Sequence, residues 1–229
     1  MSEYLADDAK RYLRETGASH DAIHEEMAAH ADEHGFPIIG PDAGGLLRSL
    51  AAATNAERIF EFGSGFGYSA YWFFQGMGAE GEIVLTEIDA DELELGREFL
   101  EGAGLADRAT FEHGDALEVA EGYEGPFDVV LIDHQKDRYA EAFELIRDEL
   151  PVGGVVVADN IMRGAVDYRD ILPHLESGEA LPDDENTTGI ADYLETVRAD
   201  EDFHTIVLPV GSGLAVTTRE RRGTSERSE

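Results

Sequence analysis

The sequence contains no cysteine, which excludes disulfide cross-links and thiolate chemistry. It has no apolar run near the length of a membrane span. The opening residues, Met1 to Asp8, lack both the basic and the apolar segment of a secretory signal. A cytoplasmic protein with no membrane association is therefore expected. Positive charge is scarce as well: 17 Lys and Arg face 50 Asp and Glu, for a formal net charge of −33. Binding of nucleic acid through its phosphates is disfavoured on that balance. Lysine is limited to Lys10 and Lys136, so the position of each carries information.

What is present is acid, spread through periodic segments that contain aromatic residues. This is the pattern of a folded protein with an acidic surface. Such a surface repels itself in dilute buffer. At about 1 M salt the screening length falls to roughly 3 Å, and the composition reads as adaptation to a salt-rich cytoplasm. With 229 residues, 42% of them hydrophobic, the chain is long enough for one full core.

The stretch Phe127-Asp128-Val129-Val130-Leu131-Ile132 is the β-branched, nearly all-apolar run of a strand buried on both faces. It breaks abruptly into Asp133-His134-Gln135-Lys136. A second run, Gly153 to Ala158, breaks in the same way into Asp159-Asn160. Ligands sit at the carboxyl edge of an open parallel sheet, so these polar groups are delivered to the chemically useful edge.

Around these runs strand and helix alternate from Arg58 on. Strands are expected at 58–62, 82–88, 109–113, 127–132 and 153–158, and helices at 68–77, 90–103 and 137–149. Repeated units of this kind force a parallel sheet with right-handed crossovers. Upstream, residues 1–34 read as helix, with Tyr4 and Leu5 among the apolar positions and Ser19 as N-cap of a second helix. That helix carries His20, His24, His30 and His34, read as solvated or cap-adjacent; His24-Glu25-Glu26-Met27-Ala28 departs from the HExxH of zinc proteases at its last position. Phe36 to Pro41 breaks the helix as a connector or a lid, and Asp42 caps a short helix ending near Asn55. Downstream, 164–189 reads as a partly ordered acidic excursion. A helix follows at 190–199, then an antiparallel hairpin of 203–208 and 213–218.

The first strand ends in Phe60-Glu61-Phe62 and enters Gly63-Ser64-Gly65-Phe66-Gly67-Tyr68-Ser69, which opens a helix. Glycines allow a sharp turn with backbone N–H groups against a ligand, and the helix N-terminus favours a carboxylate or phosphate. Glu87 ends the second strand twenty residues after Gly67, the distance at which a carboxylate accepts the hydroxyls of a ribose. Gly114-Asp115-Ala116 follows the third strand and places Asp115 to accept from an adenine amino group. A nicotinamide dinucleotide and S-adenosylmethionine (SAM) both meet this description. SAM matches better: the third glycine comes one residue early for a dinucleotide loop, the Ser69 hydroxyl suits an amino-acid carboxylate, and Glu61 repels a pyrophosphate but attracts an α-ammonium. An NAD-linked oxidoreductase and a non-catalytic SAM-binding protein stay open as alternatives.

Together, Glu61-Phe62-Gly63 with Gly67-Tyr68-Ser69, Glu87-Ile88-Asp89, Gly114-Asp115-Ala116, Asp133 to Tyr139 and Ala158-Asp159-Asn160 resemble the SAM-dependent, Mg²⁺-requiring O-methyltransferases of the catechol and caffeoyl-coenzyme A type. The resemblance covers about residues 40–218 and implies the class I methyltransferase fold. This is an α/β, Rossmann-like fold with a seven-stranded, mostly parallel sheet, an antiparallel last strand and helices on both faces. The single domain then divides into an N-terminal helical cap (1–55), a Rossmann-like core (56–218) and a frayed tail (219–229). The resemblance further implies that Asp133, Asp159 and Asn160 ligate Mg²⁺ or another divalent cation and that Lys136 is the catalytic base. It gives Glu87 the ribose, Gly63 and Ser69 the methionine end and Asp115 the adenine, with His134 and Asp133 beside the cofactor and Glu61 and Gly67 completing its site. A homodimer acting on a small hydroxylated aromatic with adjacent hydroxyls is implied in the same way. The donor chemistry agrees, since two carboxylates and an amide oxygen form an incomplete shell for a hard cation. Two departures bear on the acceptor: Gln135 stands where catechol-type members carry Trp, and Gly211-Ser212-Gly213 where many bacterial relatives have Asp before Gly.

Overall fold

A computed structural model describes residues 6–220. Tyr4, Leu5 and the tail beyond Glu220 lie outside the described residues. The strands are β1 (Arg58–Phe62), β2 (Glu82–Glu87), β3 (Ala109–His113), β4 (Val129–Ile132), β5 (Val155–Ala158), β6 (Phe203–Leu208) and β7 (Leu214–Arg219). The helices are α1 (Asp7–Thr16), α2 (Ala22–His34), α3 (Gly40–Thr54), α4 (Tyr68–Gly76), α5 (Ala90–Gly102), α6 (Ala116–Ala120), α7 (Tyr139–Ile146), α8 (Tyr168–Ser177) and α9 (Glu185–Ala199). One sheet runs in the order β3-β2-β1-β4-β5-β7-β6. Strands β1 to β5 are parallel; β7 is antiparallel to both its neighbours, as the hairpin pattern requires. The chain leaves β1 outward through β2 and β3, then returns to β4 on its other side. This reversal opens a crevice at the carboxyl ends of β1 and β4.

Alternation along the central strands builds two core layers. Phe60, Phe62, Val130, Ile132, Val156 and Ala158 face one layer, filled from α6, α7, α8 and α9. Ile59, Val129, Leu131, Val155 and Val157 face the other, filled from α2, α3, α4 and α5. Each such apolar side chain contributes about 1.5–3 kcal/mol by leaving water. Sheet position, and with it the edge that carries the polar groups, is fixed by this two-sided burial. No helix among the described residues is long and apolar enough to cross a membrane.

Several local expectations need correction. Asp21 caps α2, not Ser19: its carboxylate accepts the His24 backbone N–H at 3.0 Å. Helix α3 starts at Gly40 with Pro41 in its first turn, where a missing N–H costs nothing, so Asp42 lies inside that turn instead of capping it. The segment 164–189, expected as a partly ordered acidic excursion, holds one helix and the start of another. Asp167 caps α8, which contains Pro173 and closes on Gly178 in the left-handed region, and Asp184 caps α9 well before residue 190. The helix expected over 137–149 is α7 between two 3-10 turns. Arg219 belongs to β7 and donates to the Leu150 carbonyl at 2.5 Å, so it is not part of a tail. His24 is fully buried, its ring centroid 3.9 Å from that of Trp72 and its Nδ1 3.1 Å from Asp21 Oδ1, so the solvated reading fails for it.

Candidate active site

Strands β1 and β4 end side by side and bring Gly63 and Asp133 into contact. Gly63 has φ +82°, and a Cβ there would stand 2.6 Å from the Asp133 carbonyl oxygen, so only glycine fits. The turn that follows is fastened to the end of β2. Gly65 N–H donates to Glu87 Oε2 at 2.8 Å, while Glu87 Oε1 accepts from the N–H groups of Ile88 at 2.8 Å and Asp89 at 3.0 Å. Thr86, which follows the apolar Ile83-Val84-Leu85 of β2, donates to the Glu61 carbonyl at 2.7 Å and accepts from Gly63 N–H at 3.3 Å. Gly67, left-handed at φ +79°, is the residue from which α4 starts.

Glu61 is fully buried behind Ser69, whose hydroxyl donates to Oε2 at 3.1 Å. Its Oε1 is buried without a partner. Burial pushes the Glu61 carboxyl up to about 8, with the Asp133 charge adding in the same direction against the Ser69 hydrogen bond. An orphaned buried acceptor beside a glycine turn and a helix N-terminus fits the ammonium and carboxylate of an amino-acid ligand such as the methionine end of SAM.

The 3-10 turn after β4 folds Lys136 back onto its own strand end. Lys136 is 9% exposed, and its Nζ lies 2.9 Å from Asp133 Oδ1, 3.0 Å from the His134 carbonyl oxygen and 2.8 Å from the Tyr139 hydroxyl. Asp159, at the end of β5, is buried, and its Oδ1 accepts the Asn160 backbone N–H at 2.6 Å. Asn160 sits in the left-handed region at φ +58°, which asparagine tolerates better than most residues. Burial raises the Asp133 carboxyl above its ordinary value although Lys136 opposes the shift. Burial, then the Asp133 charge, raises Asp159 to about 7. A buried carboxyl, Asp159, whose ionisation is disfavoured by the charge of the half-buried Asp133, with one amide beside them, fits a divalent cation held by oxygen. Among the described residues no three His, Cys, Asp or Glu side chains group to hold a metal ion; the set at this edge is two carboxylates and an amide.

Asp133, Lys136, Asp159 and Asn160 border one cavity of about 240 Å³, which Phe36 to Ile39 and Ser212 also border. An adjoining cavity of about 280 Å³ is bordered by Thr86, Ile88, Asp115, His134 and Gln135. Gly63, Glu87 and Asp133 border both, so the two form one trough along the carboxyl edge of the sheet. Ser69 borders the first cavity; Glu61 and Gly67 border neither. His134 stacks on Tyr139 at 5.4 Å and 6°, and both its ring nitrogens are buried without a partner. Burial, then Lys136 and Arg138, pushes the imidazole down to about 4, so it is neutral. Asp115 caps α6 through the Leu117 N–H at 3.0 Å and pairs with Arg138, whose hydrogen bond holds the carboxyl below its ordinary value. Sequence reasoning missed this ion pair and the Tyr139 and Thr86 hydroxyls. Thr86 alone had a local signal, as a hydroxyl directly after the apolar run Ile83-Val84-Leu85.

Comparison with known proteins agrees with this geometry. The model of a family described as O-methyltransferase matches residues 14–220. A catechol O-methyltransferase of Mycobacterium tuberculosis is 32% identical over 160 residues, 69% of this chain and 73% of that protein. Caffeoyl-CoA O-methyltransferase 1 of Arabidopsis thaliana is 26% identical over 225 residues, 93% of this chain and 85% of that protein. Among solved structures, an O-methyltransferase from Bacillus cereus in complex with SAH superposes with a TM-score of 0.81 at 24% identity, over 93% of this chain and 97% of that one, and shares the fold. The chain belongs to the O-methyltransferase family and is a SAM-dependent methyltransferase.

Proposed function

We propose that this enzyme moves the methyl group of SAM onto one of two adjacent hydroxyls of a small aromatic. In this reading Asp133, Asp159 and Asn160 hold a divalent cation, with Mg²⁺ the first choice, and Lys136 is the base. The observation that carries the proposal is Lys136 Nζ at 2.9 Å from Asp133 Oδ1, in the cavity that Asp159 and Asn160 also border. Relatives named for catechol and for caffeoyl-CoA support the acceptor class. An NAD-linked oxidoreductase leaves the two aspartates and Asn160 without a joint task, and membership of the family argues against it.

When bound, SAM supplies an electrophilic methyl group and the divalent cation a Lewis acid that acidifies the acceptor hydroxyl. The chain supplies placement and a home for the proton. As an ammonium, Lys136 Nζ donates to Asp133 Oδ1, the His134 carbonyl and the Tyr139 hydroxyl. As an amine it donates to the first two, and its lone pair either accepts a hydrogen bond from the Tyr139 hydroxyl or takes the proton of the acceptor hydroxyl, becoming the ammonium again. Tyr139 thereby serves both states, and no buried polar group is left unpaired when the proton moves. Phe36, Ile38 and Ile39 give the cavity an apolar border against which an aromatic ring would pack. A cationic donor and an anionic oxygen lose charge as they react, so a dry, preorganised pocket favours the step.

Lys136→Ala separates this reading from that of a non-catalytic SAM binder. Methyl transfer to a panel of vicinal diphenols is expected to fall by about 10²–10⁴ while calorimetric affinity for S-adenosylhomocysteine is retained. Equal transfer by the variant, or transfer confined to acceptors with an isolated hydroxyl, would count against the proposal.

A further inference from the structure

Resting on the diphenol reading, the charge around the trough also constrains the rest of the acceptor molecule. The relatives include enzymes named for catechol and for caffeoyl-CoA, which offer the same kind of ring on very different handles. A coenzyme A thioester carries a phosphate-rich tail, and proteins hold such groups with Arg or Lys aimed at phosphate oxygens. The charged residues bordering the first cavity are Glu87, Asp133 and Asp159 against Lys136, whose Nζ is committed to Asp133, His134 and Tyr139. The second cavity adds Asp115 and no further Lys or Arg.

Outside the trough, the arginines that follow β4 and β5 already face carboxylates. Arg138 pairs with Asp115 and Glu141. Arg169 pairs with Asp167 at 3.0 Å, and Arg163 is close enough to help hold that same carboxyl down. Helix α2, which leads into the Phe36 wall, exposes Glu25, Glu26, Asp32 and Glu33. A divalent cation at the aspartates balances their charge, and among the described residues that border the trough it leaves no uncommitted Lys or Arg for a distal anion. The net charge of −33 sets the same sign over the whole approach.

We infer that the acceptor is a compact vicinal diphenol whose remaining substituent is uncharged or cationic, and that coenzyme A thioesters and carboxylate-bearing catechols are selected against. The test is kcat/KM for four acceptors that share the ring: 4-methylcatechol, a catechol with an aminoethyl group, 3,4-dihydroxybenzoate and caffeoyl-CoA. They are measured at about 0.1 M and about 1 M KCl, where the screening length is roughly 10 Å and 3 Å. The first two should exceed the last two by about tenfold or more at the lower salt, with the gap narrowing at the higher. Pro37→Lys, at an exposed position bordering the cavity, should improve the benzoate severalfold as an acceptor relative to 4-methylcatechol. The salt series on the unaltered enzyme stands without that variant. Equal or better use of caffeoyl-CoA overturns the inference alone. No transfer to any of the four, with S-adenosylhomocysteine still binding, overturns the diphenol reading and the inference with it.

Discussion

Tyr139 belongs by periodicity to the apolar stripe of α7, and its ring is fully buried against His134 and Tyr193. Its hydroxyl, 2.8 Å from Lys136 Nζ, gives it a second task. Tyr139→Phe keeps the stacking and removes that hydroxyl. A hydrogen bond to a charged group is worth about 1.5–3 kcal/mol, so kcat is expected to drop roughly 10- to 100-fold with the melting temperature and cofactor affinity little changed. An unaltered kcat would reduce the tyrosine to packing. Lys136, Asp133, Asp159 and Asn160 were legible as candidates because each follows directly on a buried strand, where the sheet edge is the only place the chain can be going. The partners were not legible. Arg138 and Asp115 come from different elements, and Tyr139 carries no mark that separates a hydroxyl with a task from any other aromatic in a core-facing stripe.

Elements with a strong period were located closely, and those with mixed signals were not. Strands β2, β4 and β5 follow from β-branched runs, whereas α8 was hidden by Pro173 in its interior and by the acids and glycine around it. Its capping residues, Asp167 and Gly178, and the spacing of Tyr168, Ile171, Leu172 and Leu175 were visible, but the interior proline outweighed them. The packing of α2 on α4 shows the same limit. The sequence pattern of α2 places His24 four residues from His20 without saying that Trp72 and Tyr71 close over it. Burial holds the His24 imidazole down at about 4, against the favourable charge of Asp21 and with His20 and Arg48 adding to the depression. In the unfolded chain it titrates near its ordinary 6.5. Below that pH the unfolded state takes up a proton the fold refuses, so stability is full above about 6.5 and is lost as pH falls toward 4. The loss reaches roughly 3 kcal/mol at the acid end. Urea unfolding of His24→Leu should lack this part of the acid slope; parallel slopes in the two proteins would mean that His24 is not the source.

Across the chain as a whole, the excess of 50 acidic over 17 basic residues sets a condition that the folding pattern itself does not reveal. Each acid is tolerable on a surface, yet together they repel. Dilution from molar to millimolar salt is expected to expand or unfold the protein, read as loss of helical circular dichroism, and an unchanged spectrum over that range would show that the core outweighs the repulsion. The same excess makes the grouping of Asp133 and Asp159 in one cavity costly unless a cation is there to offset it. The rate of methyl transfer from SAM to catechol in excess chelator, and again after Mg²⁺ is restored, addresses this arrangement head on. The rate should fall by about a hundredfold or more in chelator, return with Mg²⁺, and fail to return in Asp159→Ala. Full activity in chelator would mean that the carboxylates of β4 and β5 serve some purpose other than holding a metal.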